Sequence, residues 1–265
     1  MYYYIYDQFL SQKKYDKVLA QIESKITDLD IKDRIIKISI LKSVKELVAD
    51  ALNKGANTII AVGNDQTINQ VVNLVVGHEV VVGIIPVDKK NNAIANFLGI
   101  NDPLQACEII SARKIEPINL GVINSKEYFI NSIQVLDSKI KLECDHQFTI
   151  GLKNERQVIN IYNFLPQELC AKLNDKKTSP QDNFLEVVIQ TKEKDNLNFL
   201  NNFFKKEKNE ELGGFFRVKN ILIKNNSLEK NGAIIIDNFK NIKPPVEIKI
   251  SQKKIKMIVS KDRDF

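Results

Sequence analysis

The chain has 265 residues, 43% of them apolar and 27% charged, which is the balance of a globular protein with room for two domains. Its net charge of +6 is spread over scattered lysines. An anionic lipid surface is compatible with that charge, but so is the Lys, Asn and Ile bias of an AT-rich genome, and no nucleic-acid partner is expected. The longest apolar run, near Val80–Pro86, is far short of the ~20 residues of a membrane span, and MYYYIYDQ lacks the pattern of a secretion leader. Cys107, Cys144 and Cys170, odd in number and widely spaced, suit a reducing cytoplasm rather than disulfides or a metal site.

Tyr2–Tyr6 is β-prone, and Val18, Leu19, Ile22, Ile26 and Leu29 follow at helical spacing. Ile35–Ile40 predicts a second strand. Leu41, Val44, Leu47, Val48 and Leu52 predict a second helix closed by Gly55. Thr58–Val62 is a buried strand by its β-branched content, and Ile68, Val71, Val72 and Val75 line the helix after it. Val80–Ile85 predicts another strand and Pro103–Ala112 another helix. This alternation predicts a mainly parallel sheet with helices on both faces.

Beyond Pro117 short runs with period-two character take over: Tyr128–Val135, Gln157–Phe164, Phe184–Thr191, Val218–Ile223, Ala233–Ile236 and Val246–Ile250. Only Leu197–Lys208 reads as helix there. The expected organisation is an α/β nucleotide-binding domain over residues 1–117 and a mostly antiparallel β domain over 118–265.

The strand Thr58–Val62 feeds the loop Gly63-Asn64-Asp65-Gln66-Thr67 and then a helix. Such a junction presents unpaired N–H groups and is where α/β proteins hold phosphate. The loop resembles the Gly-Gly-Asp-Gly-Thr motif of the diacylglycerol and lipid kinase family, shared by sphingosine kinases and related to that of NAD kinases. Further matches follow in family order: Thr67–Asn73 (TINQVVN), Gly83–Pro86 with Ile94–Ile100, Leu120–Asn131, and Ile235–Phe239 with Pro245-Val246-Glu247. The resemblance spans nearly the whole chain and implies ATP and Mg²⁺, a lipid or small hydroxyl acceptor, and a site between two domains.

The departures from the family pattern fall on the chemistry. Asn64 and Gln66 replace glycines, and Pro86-Val87-Asp88-Lys89-Lys90-Asn91-Asn92 stands where the family has Pro-x-Gly-Thr-Gly-Asn-Asp. Asp237-Asn238-Phe239 replaces Asp-Gly-Glu, whose glutamate is the implied base, and Tyr6–Ser11 does not match the family's N-terminal glycine loop. With 10 glycines the chain falls below the usual share of about 7%.

By the resemblance, Asp65 and Asp237 are the catalytic candidates, and Asp65 and Asp182 the candidate Mg²⁺ ligands. Gly63, Asn64, Asp65, Gln66, Thr67, Lys89, Asn91 and Asn92 are the candidate nucleotide contacts. Some have a plainer alternative. Asp65 can cap the helix, Lys89 and Lys90 can be a solvated loop tip, and Asp182 can be a turn residue. Asn64 and Gln66 are expected to take the left-handed backbone of the glycines they replace. Cys144-Asp145-His146 is a weak metal candidate on a strand, and His78 is expected near a helix C-terminus. Three functions stay open: an altered lipid kinase, a non-catalytic nucleotide- or lipid-binding relative, and an NAD kinase-like enzyme.

Overall fold

The computed structural model describes residues 1–39, 42–88, 91–173, 182–191, 211–225, 234–237 and 239–263. The first half alternates as its periodicity predicts: β1 (Tyr2–Tyr6), α1 (Asp16–Asp28), β2 (Arg34–Lys37), α2 (Val44–Asn53), β3 (Thr58–Gly63), α3 (Asp65–Val75), β4 (Val81–Pro86), α4 (Ala93–Phe97) and α5 (Pro103–Ala112). Strands β3 and β4 are buried along their whole length, which is why they read as unbroken apolar runs. Helix starts are set by side chains: Ser43 and Glu46 form a capping box on α2, and Asp102 caps α5 ahead of Pro103. Gly55, after α2, has φ +74°, as its capping role requires.

The second half contains β5 (Ile115–Ile123), β6 (Glu127–Phe129), β7 (Ser132–Val135), β8 (Ile140–Cys144), β9 (Phe148–Gly151), β10 (Gln157–Tyr162) and α6 (Gln167–Lys172). After these come β11 (Leu185–Thr191), β12 (Glu211–Val218), β13 (Asn220–Asn225), β14 (Ile234–Ile236), β15 (Lys240–Ile242) and β16 (Val246–Ile258). One sheet runs β2-β1-β3-β4-β16-β13-β8-β9, with β5 paired to β16 and β6 to β5. A second, antiparallel sheet runs β12-β11-β10-β7-β14-β15. The fold class is as expected: a parallel α/β half followed by a mostly antiparallel β half.

Helix α6 lies where the sequence reading had no helix, since only Leu197–Lys208 was expected to be helical beyond Pro117, and the structure differs from that reading at three further places. Tyr128–Val135 is two strands, because the N–H groups of Ile130, Asn131 and Ser132 turn to the Asp237 carboxylate instead of a ladder. Val218–Ile223 breaks at Lys219, where the chain leaves one sheet for the other and its N–H donates to Asp145. Strand β16 runs eight residues past Ile250, through the lysine-rich tract. Its first half lies in the second core with Ile248, while Met257 and Ile258 lie in the first core. Residue 117, the expected boundary, falls inside β5. The helix expected at Leu197–Lys208 lies outside the described residues, as do Lys89, Lys90 and Asn238.

Candidate functional site

An open cleft of about 1390 Å³ lies at the carboxyl ends of the parallel strands. Asp7 after β1, Ile38 and Ser39 after β2 and Asn64 after β3 line one side. Gln66, Asn69, Gln70 and Asn73 supply the exposed edge of α3, and Lys126, Glu127, Phe239 and Lys240 face them from the β half.

The sequence candidates of the first loop meet those of the second. Because β3 and β4 are parallel neighbours, Gly63 O accepts from Val87 N at 2.9 Å and Asp65 N donates to Asn91 O at 2.9 Å. Asn91, not Asn64, takes the left-handed backbone, at φ +62°. Asn64 is extended at φ −125°, and Gln66 is an exposed helical residue in α3, which starts two residues before Thr67. The expected left-handed strain at Asn64 and Gln66 is therefore absent.

Asn64 is an N-cap. Its side-chain oxygen accepts from Gln66 N at 3.1 Å and Thr67 N at 3.3 Å, and its own N–H donates to Thr67 Oγ1 at 3.3 Å. Thr67 Oγ1 donates in turn to Asp7 Oδ2 at 2.5 Å. Gly63 permits this closure, since a Cβ there would meet Thr67 Oγ1 at 2.4 Å. With Asp65 N bound to Asn91 O, the N–H groups of Asp65, Gln66 and Thr67 all have partners within the chain. These are the groups a phosphate would need.

Asp65 is 2% exposed, and its carboxylate accepts from Ala93 N at 2.8 Å and Ile94 N at 3.1 Å, so it caps α4 across the loop pair. Burial raises its pKa to about 7, against those two bonds, with the Asp237 charge adding to the rise. Asn92 begins α4 and donates to Asp88 O, and its own side-chain oxygen is buried without a partner among the described residues.

Asp237 is also 2% exposed and sits at φ +44°. It accepts four bonds: from Asn69 Nδ2 at 2.7 Å, Ile130 N at 3.0 Å, and Asn131 and Ser132 N at 2.9 Å each. Burial raises its pKa in spite of those donors. Phe239, at the expected base position, is an apolar wall of the cleft.

Asp182 stands apart from the cleft. It accepts from Phe184 N at 3.0 Å and pairs with Arg217, which also lies 3.6 Å from Glu186 on the neighbouring strand. A guanidinium thus holds the charge that a divalent cation would have supplied. Among the described residues no cluster of three His, Cys, Asp or Glu could ligate a metal. Asp65 and Asp182, committed as they are, do not fit the implied Mg²⁺. Of Cys144-Asp145-His146, Cys144 ends β8 and only Asp145 and His146 lie in the hairpin turn that follows, so the three do not share a strand. Cys144 is buried, Asp145 and His146 have φ +50° and +56°, and the Asp145 carboxylate binds the Lys219 and Asn220 N–H groups. His78 N donates to Val75 O at 2.9 Å in the turn that follows α3.

Sequence reasoning passed over Asn69 and Asn73 as site residues. Asn73 Nδ2 donates to Asn69 Oδ1 at 2.9 Å and to Tyr128 O at 2.9 Å, while Tyr128 N donates to Asn73 Oδ1 at 2.8 Å. With Asn69 on Asp237, the pair bolts α3 to the β half. The available signal was two asparagines four apart beside an apolar stripe. The resemblance to lipid kinases also implies an apolar lipid cavity walled by Tyr128–Val135 and Phe184–Thr191; within those stretches Ile133, Val135, Leu185 and Val187 are fully buried in the second core.

Residues 2–123 match the family model of the diacylglycerol kinase catalytic domain. A crystal structure of a diacylglycerol kinase from Bacillus anthracis str. Sterne superposes with a TM-score of 0.68 at 14% identity, covering 98% of this chain and 97% of that one. A further structure from the same organism, described as a candidate diacylglycerol kinase, gives 0.69 at 15% identity over the same shares of both chains. At such identities the likeness shows the fold. Among proteins of curated function none matches the sequence.

Proposed function

We propose, from the match of residues 2–123 to the diacylglycerol kinase catalytic domain, that this chain is a lipid-kinase-like protein whose cleft binds ligand without efficient phosphoryl transfer. The observation that carries this reading is the closed N-terminus of α3, where the Asn64 side chain and Asn91 O occupy the N–H groups of Asp65, Gln66 and Thr67. An incoming phosphate would have to displace those bonds, and the buried Asp65 offers it no free carboxylate for a metal. Phe239 cannot accept a proton, and loss of a general base typically costs 10²–10⁴-fold in rate. The cleft itself is retained, with Phe9 and Phe239 beside an amide-rich floor, so ligand binding outlives the loss of chemistry in this reading.

The second reading is ATP-dependent phosphorylation of a lipid or small hydroxyl compound on altered supports. It is favoured by Lys45 and Lys126 on the cleft walls, which offer point charges for phosphate where glycine loops are missing. An NAD kinase-like reaction is the third, and the family match and the superpositions favour it less. No helix among the described residues is long and apolar enough to cross a membrane. The three cysteines are free and buried, which supports a reducing cytoplasm.

Calorimetric titration with ATP and Mg²⁺, paired with phosphoryl transfer to diacylglycerol, tests the proposal. Very slow or absent transfer is expected. Robust turnover by the unaltered chain would overturn it in favour of the second reading.

A further inference from the structure

A second cavity, of about 510 Å³, opens beside β16 where its ladder with β5 breaks between Ile250 and Lys254. Strand β5 separates it from the first cleft, because β5 pairs with β6, which carries Glu127, on one side and with β16 on the other. The cavity therefore sits where β16 passes from one core to the other.

Its lining has one sign of charge. Lys219, Lys249 and Lys254 point to it together with the polar groups of Asn183, Ser251 and Gln252, and no carboxylate lines it. Two acids bond to its lining residues without lining it themselves. Asp145 accepts the backbone N–H groups of Lys219 and Asn220, at 3.0 Å and 2.8 Å, and Glu247 stands 3.9 Å from Lys249 Nζ at the exposed end of the strand. Among the described residues Lys219 and Lys254 form no ion pair, and the one ring contact of Lys219 is with Phe184 at 5.3 Å. With Lys249 answered in part by Glu247, the Lys219 and Lys254 ammonium groups beside one concavity are left without a counter-charge among the described residues, and they repel each other unless an anion screens them. The bulge also takes residues 251–253 out of the ladder and bends the strand around the concavity, as bulges beside binding sites do.

We infer that this cavity is a binding site for a phosphate-bearing anion, held by Lys219, Lys249 and Lys254 with hydrogen bonds from the adjacent amides and Ser251. The chemistry of compact ammonium charges with neutral polar donors suits a phosphate monoester or a phospholipid headgroup, and the volume admits a group of that size. The site is independent of the first cleft, and it does not require the chain to transfer phosphate.

The test uses the full chain and three probes: inorganic phosphate, glycerol 3-phosphate, and sedimentation with phosphatidylglycerol vesicles against phosphatidylcholine vesicles. The double variant Lys219→Gln with Lys254→Gln should lose about ten-fold or more in affinity for whichever probe binds, as expected for two lost charge-assisted contacts. Lys219→Arg with Lys254→Arg should retain binding. Both lysines are exposed, so unchanged circular dichroism will show that the double variant still folds. Saturable binding of the soluble phosphates identifies a free ligand, and binding confined to phosphatidylglycerol vesicles identifies a headgroup. Absence of binding to all three probes, or binding that the glutamine variant leaves intact, would overturn the proposal.

Discussion

Asn64 stands where the diacylglycerol kinase motif has a glycine, and its side chain closes the start of α3. Replacing an N-cap asparagine by glycine costs only a few tenths of a kcal/mol, because glycine leaves the N–H groups open to water. Asn64→Gly should therefore melt within ~2 °C of the parent and show tighter binding of ATP with Mg²⁺ in calorimetry. Unchanged nucleotide affinity would mean that the cap is not what limits binding. Asp237 is the opposite case, a buried acceptor facing four donors. Asp237→Asn exchanges one acceptor oxygen for an N–H₂ that meets other donors, and the expected loss is about 3 kcal/mol in urea unfolding. Asp65 adds a pH signature. Its pKa rises from 3.8 to about 7 on folding, so between those values the folded chain holds more protons than the unfolded one. Its contribution to stability is then greatest at low pH and falls as pH rises through that window. Asp65→Asn should flatten the difference in unfolding free energy between about pH 5 and about pH 8, and an unaltered slope would contradict the assignment.

Among the elements, β16 has the widest reach. Its ends serve different cores: Ile248 packs with Ile221 and Ile223, and Met257 with the α/β interior. Met257→Ala should cost about 2–5 kcal/mol and lower one shared unfolding transition, followed by far-UV circular dichroism and tyrosine fluorescence. Two separated transitions would show that the halves fold independently. Most elements were legible from pattern. β1 and α5 fall where the periodicity predicts, because burial of a strand on both faces or of one helix stripe writes itself into the sequence. The second half of β16 was not legible, since SQKKIK carries exposed lysines on one face and only Ile255 and Met257 mark the other. The meeting of the two loops was legible, but not their conformation. Gly63, Asp65 and Asn91 do converge, yet the sequence pointed to a left-handed Asn64 and to strain at Gln66. The preference of asparagine for N-caps was the signal that would have given the closed form.

At the scale of the whole molecule, chemistry requires an open loop and a proton acceptor together. Phe239→Glu alone should leave phosphoryl transfer to diacylglycerol undetected. Phe239→Glu combined with Asn64→Gly should raise it, measured by labelled phosphate incorporation. Transfer by the unaltered chain at the ~1–100 s⁻¹ usual for kinases would contradict the closed-site account. The placement of β16 also sets an order of events during synthesis. Strand β4 is flanked by β3 on one side and, on the other, by residues Lys256 and Met257. Until those residues leave the ribosome, Val81 and Val82 form an uncovered sheet edge in a nascent chain whose other parallel strands are already complete. Such an edge recruits any passing strand. Strand β4 therefore depends on a strand made more than about 150 residues later for cover, and a chaperone that shields β4 during translation should raise the yield of folded chain.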